Sequence, residues 1–236
     1  MRKASDIFLR MSELTPDNSR MDMHMHTTWT DGARCVSEMI STAEENGLLA
    51  IAVTDHIRKE SDYYPEYLKE ISAWRETAGI AVFSGFEAKI MNMDGEIDIP
   101  EDAARSADIV IASVHRIPMN GTFVKPRELD YDLLAATERD LALAAIRRSA
   151  DDGTVNVLGH CGGMTISAYG KFPEDYFEAV IRQCSACGVA FEYNYKYHGK
   201  YERQIKELLE KYDPYVSAGS DAHDTEEICD RSFIIG

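Results

Sequence analysis

Positive charge is in short supply in this 236-residue chain: 25 Lys and Arg stand against 41 Asp and Glu, a formal net charge of −16. Proteins that grip a nucleic-acid backbone by electrostatics are usually basic, so stable binding to duplex nucleic acid is not expected. Bound divalent cations would reverse that sign locally, because an ion is the largest charge in its own site. Long apolar runs are missing too, and none approaches the ~20 residues of a membrane-spanning helix, so no membrane partner is expected. The first twenty residues, MRKASDIFLRMSELTPDNSR, carry two early cations with no apolar stretch behind them. A secretory leader is therefore not expected there. The segment reads as a short helix followed by a turn at Thr15-Pro16-Asp17-Asn18. Cysteine is sparse and odd in number (Cys35, Cys161, Cys184, Cys187 and Cys229). That suggests no disulfide framework and fits a reducing cytoplasm. Cys184-x-x-Cys187 has no second pair to complete a zinc site and reads as one face of a helix.

What is present is an alternation of short apolar runs with helical stretches. Strands are expected at 21–27, 49–54, 80–84 with extended chain through 86–90, 108–114, 155–159, 189–194 and 215–219, with a last short run at 233–235. Helices are expected at 36–46, 64–77, 128–151, 173–187 and 200–212. Gly47 and Gly79 sit where C-caps belong, and Pro173 at a first turn. About seven buried strands with helices between them indicate one α/β domain built on a parallel sheet. Periodicity alone leaves open a closed barrel or an open doubly wound sheet.

The polar residues favour the barrel. Six of the seven histidines fall at or just past the C-terminal ends of expected strands: His24, His26, His56, His115, His160 and His223. Glu87 lies in the third strand region. Active sites of parallel α/β folds assemble at that end, and only a closed barrel brings every strand end to one mouth. His24 and His26, two apart on a strand, point to the same face. Six imidazoles with Asp and Glu suit two or three transition-metal ions better than one, since an ion that must also keep a place for water rarely takes more than four protein ligands. His198, in Tyr197-His198-Gly199, reads instead as a surface or satisfied core residue.

In order along the chain stand His24-x-His26-Thr27 with Thr30-Asp31-Gly32, Thr54-Asp55-His56, Gly85-x-Glu87, Ser113-Val114-His115, Gly159-His160 and Gly219-Ser220-Asp221-Ala222-His223. This set resembles the PHP (polymerase and histidinol phosphatase) family from about residue 21 to the C-terminus. The stretches around Gly85–Ile90, Asp94–Asp98 and Phe191–Asn194 look most like the small stand-alone PHP phosphatases and the PHP domain of bacterial family X DNA polymerases. The resemblance implies a distorted (β/α)7 barrel at 21–236, with 1–20 as an N-terminal extension. It further implies a trinuclear site of zinc, manganese or iron. One ion would be held by His24, His26, Glu87 and Asp221. Glu87 would bridge to a second ion with His115 and His160, and a third would take Asp31, His56 and His223.

Such a site implies a phosphoesterase. Metal ions lower the pKa of bound water and polarise phosphoryl oxygens, so the expected reaction is in-line attack of a metal-bridging hydroxide on a small phosphate monoester. No protein nucleophile is needed. Asp55 is expected to orient His56 through its far ring nitrogen. Arg116 and Lys196 are candidates for neutralising phosphate oxygens, with Arg58 a further one. Tyr193, Tyr195, Tyr197 and Tyr201 read as packing more than as a wall for a sugar or base. The alternatives are a histidinol phosphatase, an exonuclease-like phosphodiesterase acting on single-stranded ends, and a non-catalytic metal-binding regulatory module.

Overall fold

The computed structural model describes residues 2–119 and 121–228; the expected strand at 233–235 and Cys229 lie outside them. Seven parallel strands form the frame: β1 (Met21–Met25), β2 (Ala50–Val53), β4 (Ala81–Lys89), β5 (Ile109–Ser113), β8 (Val157–Leu158), β9 (Ala190–Asn194) and β10 (Val216–Gly219), hydrogen-bonded in that order. A two-residue strand, β3 (His56–Ile57), also pairs with β4. The ends of the sheet meet through a parallel bridge between Met25 and Ala222, where the His26 amide donates to the Ala222 carbonyl at 2.8 Å. The result is a nearly closed, distorted α/β barrel.

The helices form where apolar residues recur on one stripe. In α1 (Val36–Glu45) the buried residues are Val36, Met39, Ile40 and Ala43, and Gly47 follows the helix in the left-handed region (φ 73°). In α4 (Tyr131–Asp152) Asp130 caps the Leu133 amide at 2.8 Å, starting the helix three residues later than expected. α2 (Tyr64–Arg75), α6 (Glu174–Cys187) and α8 (Glu202–Tyr212) stand close to their expected ranges. Cys184 packs buried in the core between sheet and helices, and Cys187 accepts a hydrogen bond from Gln183.

Several elements were not expected. The two runs on either side of Gly85 are one nine-residue strand, β4, whose first half pairs with β2 and second half with β5. Short helices α3 (Glu101–Ser106), α5 (Gly163–Tyr169) and α7 (Tyr195–His198), and a hairpin of β6 (Ile117–Met119) and β7 (Thr122–Val124), fill the connections. Among the described residues no helix is long and apolar enough to cross a membrane.

The N-terminal segment is not one helix. It makes two 3-10 turns, at Ala4–Asp6 and Met11–Glu13, and crosses the N-terminal ends of the strands. The Val216 amide donates to the Leu9 carbonyl, and the Asn156 side chain to the Arg2 carbonyl at 2.7 Å. Ala4 and Phe8 are buried with Met23, Ala52, Ile109, Ile111, Val157 and Ala190, so the lower half of the barrel interior is apolar and filled.

Candidate metal centre

The upper half is polar. Met23 belongs to the apolar interior below, yet His24, the next residue, also points inward, and the β1–β2 pairing shifts register between Asp22 and Met25. Such an irregularity re-aims side chains. It places the ring nitrogens of His24 and His26 3.3 Å apart. Glu87 arrives on the inward face of β4, opposite His56 and Ile111. His160 (φ 21°) and Asp221 (φ 57°) turn into the mouth through left-handed backbone, a strain that concentrates at functional sites. A side chain at Gly159 or Gly219 would collide with Ser113 or His24, so the residues leading to these two must be glycine.

Glu87 is the hub. Its buried carboxylate lies 2.8 Å from His160, 3.0 Å from His115, 3.0 Å from His56, 3.5 Å from His24 and 3.6 Å from His26. Asp221 lies 3.1 Å from His26 and 3.7 Å from His24. At the open side, the half-exposed Asp31 reaches His56 at 3.3 Å, His223 at 3.6 Å and His26 at 3.9 Å. All nine expected ligands therefore meet in one place. The donor atoms of eight of them fall into overlapping groups: His24, His26, Glu87 and Asp221; His26, Asp31, His56 and His223; and His56, Glu87 and His115; His160 is in none of these and lies 2.8 Å from Glu87. His26 and His56 thus each reach two groups, a sharing the resemblance did not imply.

These spacings fit divalent ions. Two atoms that each bind one ion at about 2.1 Å are roughly 3.0–3.4 Å apart for angles between square and tetrahedral. The buried Nδ1 of His26 and one oxygen of Glu87 have no hydrogen-bond partner, which is costly unless something else satisfies them. Electrostatics agree. Burial alone would raise the Glu87 and Asp221 carboxyls, yet the surrounding imidazoles hold both below the usual range. Burial alone would lower His160, yet Glu87 pushes it up to about 9. The carboxylates draw positive charge into the cluster, and a bound cation supplies it while releasing those protons.

A supporting layer sits beneath and beside the cluster. Glu192, fully buried on β9, accepts from His24 Nδ1 at 2.9 Å and is itself held by Asn194 at 2.8 Å. It fixes the ring so that Nε2 faces the cluster, a role no sequence reading gave it. The signal was available: Ala190, Glu192 and Asn194 alternate with Phe191 and Tyr193, putting a carboxylate on the inward face. Tyr67 of α2 faces the Val53 carbonyl at 2.8 Å and the Gly85 carbonyl at 3.0 Å and receives the Asp55 amide at 3.2 Å, tying the end of β2 to the middle of β4.

The expected role of Asp55 needs correcting. Its oxygens accept from the Thr27 amide and hydroxyl and the Thr30 hydroxyl, so it anchors the loop carrying Asp31 and does not face His56. The His56 nitrogens face Glu87 and Asp31 instead. Lys196 does approach the cluster, its ammonium 3.5 Å from Asp221. Arg116 stacks over Phe123 of the hairpin. Tyr193 and Tyr201 are buried, whereas Tyr197 lies against His160 and directs its hydroxyl to Asp221. His198 is a satisfied core residue: it accepts from the Asn194 amide and donates to the Cys161 carbonyl, and burial lowers it to about 4.

Comparison with known proteins yields a match to the PHP domain over residues 22–220. A Vibrio campbellii protein named "Probable phosphatase" is 29% identical over 226 residues, 91% of this chain and 82% of that protein. A Caldicellulosiruptor bescii protein of the same name is 30% identical over 214 residues, 86% of this chain and 79% of that protein. Among solved structures, a Lactococcus lactis histidinol phosphate phosphatase complexed with zinc, L-histidinol and phosphate superposes with a TM-score of 0.68 at 17% identity, covering 88% of this chain and 87% of that one. A Listeria monocytogenes structure gives 0.62 at 16% identity, covering 88% and 97%.

Proposed function

The chain belongs to the PHP domain family, and on that footing we propose that it is a metal-dependent phosphatase that hydrolyses a small phosphate monoester at a site for three divalent ions. The observation that carries this reading is the convergence of five imidazoles on the single buried carboxylate of Glu87. His24, His26, Glu87 and Asp221 would hold one ion, Glu87 with His115 and His160 a second, and Asp31, His56 and His223 a third. Zinc, manganese and iron all suit such a donor set.

When bound, the ions supply Lewis acidity toward the phosphoryl group and an acidified water. The chain's own residues do the rest. Three carboxylates against three divalent ions leave the site net positive, which suits a phosphate dianion. Glu192 keeps His24 in one tautomer, and Asp55 keeps Asp31's loop in place. Lys196, half exposed beside Asp221, can swing to a phosphate oxygen without crossing the cluster. The described chain holds no free nucleophile among its site histidines, since each faces a carboxylate.

The test is elemental analysis of protein purified without chelator, followed by assays on a panel of small monoesters, L-histidinol phosphate among them, beside single-stranded oligonucleotides. Metal at two to three equivalents with monoester turnover is expected. Cleavage of oligonucleotides alone would replace this reading with an exonuclease, and metal binding without any turnover would leave a regulatory module.

A further inference from the structure

A cleft of about 480 Å³ opens directly on the centre, with His115 and His160 in its wall. Met164 and Tyr197 make it partly apolar, and Lys125 and Arg127 stand on its other side. No Asp or Glu lines it. In a chain of net charge −16, two cations facing a cleft without a carboxylate are out of pattern. Neither forms an ion pair with a carboxylate among the described residues, and both are exposed. Their backbone, however, is held. The Lys125 amide donates to Glu128 at 3.2 Å, Pro126–Glu128 forms a 3-10 turn, and the buried Leu129 accepts from the Tyr169 hydroxyl. The charges are thus presented from a fixed turn.

We propose that this cleft takes the leaving-group half of the substrate, and that Lys125 and Arg127 select an alcohol bearing a second negative charge, a carboxylate or a further phosphate. The inference rests on the phosphatase reading for what lies at the cleft's mouth. An ester split at the centre has its alcohol beside His115 and His160, which is where the cleft begins. A short carbon chain fits against Met164 and Tyr197, and an anion at its far end meets two unneutralised cations. A protonated amino alcohol would meet the same cations and no carboxylate, so it is disfavoured.

Binding and turnover test this separately. With manganese supplied, affinities are measured by calorimetry for 3-phosphonopropionate, propylphosphonate and 3-aminopropylphosphonate, which carry an anion, no charge and a cation at the far end and cannot be hydrolysed. The anionic compound should bind about tenfold more tightly than the cationic one, and the order should reverse in the K125E/R127E variant. Turnover of 3-phosphoglycerate, propane-1,3-diol bisphosphate, glycerol 3-phosphate and phosphoethanolamine should rank the same way in kcat/KM, and the first two distinguish a carboxylate from a phosphate preference. Equal affinities, preference for the amine, or an order unmoved by K125E/R127E overturns the cleft assignment. Charge-ranked binding with no ester hydrolysed would overturn the phosphatase reading while leaving the cleft in place, and hydrolysis without charge ranking would do the reverse.

Discussion

Replacing Glu87 by Gln keeps the size of the side chain and removes one charge from the middle of the cluster. The structure sets the scale of the loss. Five imidazole nitrogens lie 2.8–3.6 Å from this carboxylate, and its two oxygens face different sides of the cluster, one toward His115, His160 and His24 and the other toward His56 and His26. A unit charge acting over 4 Å at an effective dielectric of 20 is worth about 4 kcal/mol. Glu87 lies within that distance of five imidazole nitrogens, so the loss is on the order of 4 kcal/mol per ion, and about 10³-fold in affinity follows. Because the carboxylate serves both sides, two ions should weaken together. Elemental analysis after dialysis against a mild chelator should show two to three equivalents retained by the wild type and at least two fewer in Glu87→Gln, with kcat/KM reduced about 10³-fold. Full metal content in the variant, or loss of one ion only, would refute the hub role assigned to Glu87.

Three further outcomes follow from other residues. Glu192→Gln leaves a hydrogen-bond acceptor near His24 but removes the charge behind the ring, so metal affinity measured by competition with a chromogenic chelator should fall about 10- to 100-fold; unchanged affinity would mean that Glu192 is only packing. His198 is buried and neutral with a pKa of about 4, against an ordinary 6.5. The unfolded chain therefore takes up a proton that the folded one refuses, and stability is full above pH 6.5 and falls toward pH 4. The shift corresponds to about 3 kcal/mol in total, and the stability lost in denaturant unfolding between pH 7 and pH 4 should be smaller by up to that amount in His198→Gln. Phe8→Ala empties the floor of the barrel and should cost about 3–5 kcal/mol in chemical denaturation; a cost under 1 kcal/mol would show that residues 2–13 do not hold the lower barrel.

Six of the candidate ligands were legible in the sequence because each is a histidine at or just past the same end of an apolar strand. That rule needs no knowledge of packing, and it brought those six positions to one mouth with Glu87 beside them, whereas Asp31 and Asp221 came from the resemblance to the PHP family alone. Asp55 shows where the rule stops. It lies beside a candidate ligand in sequence, but direction is set by local backbone, and it is drawn to the Thr27 and Thr30 hydroxyls. Glu192 was hidden because it lies in mid-strand among aromatics, where only the inward–outward alternation sets it apart. The N-terminal segment carries its own weak signal, Ala4, Phe8 and Met11 spaced by four and three, which suits a helix face. The sequence does not say that this face is used piecemeal, in two 3-10 turns laid across strand ends.

That segment bears on the chemistry although it touches no ligand. The barrel interior changes character within a few residues of each strand: Met23 to His24 on β1, Ile111 to Ser113 on β5, Ala190 to Glu192 on β9. Below the change an apolar cluster packs against Phe8; above it stand charges. Interactions between charges strengthen as the surrounding medium becomes less polarisable, so a dry floor makes Glu87 and Glu192 hold their imidazoles more firmly than a wet one would. A barrel open at the bottom would admit water to Glu192 and weaken its hold on His24. Residues 2–13 are then part of what fixes the His24 ring, and loss of that segment should reach the candidate metal centre through Glu192 before it reaches any of the nine candidate ligands directly.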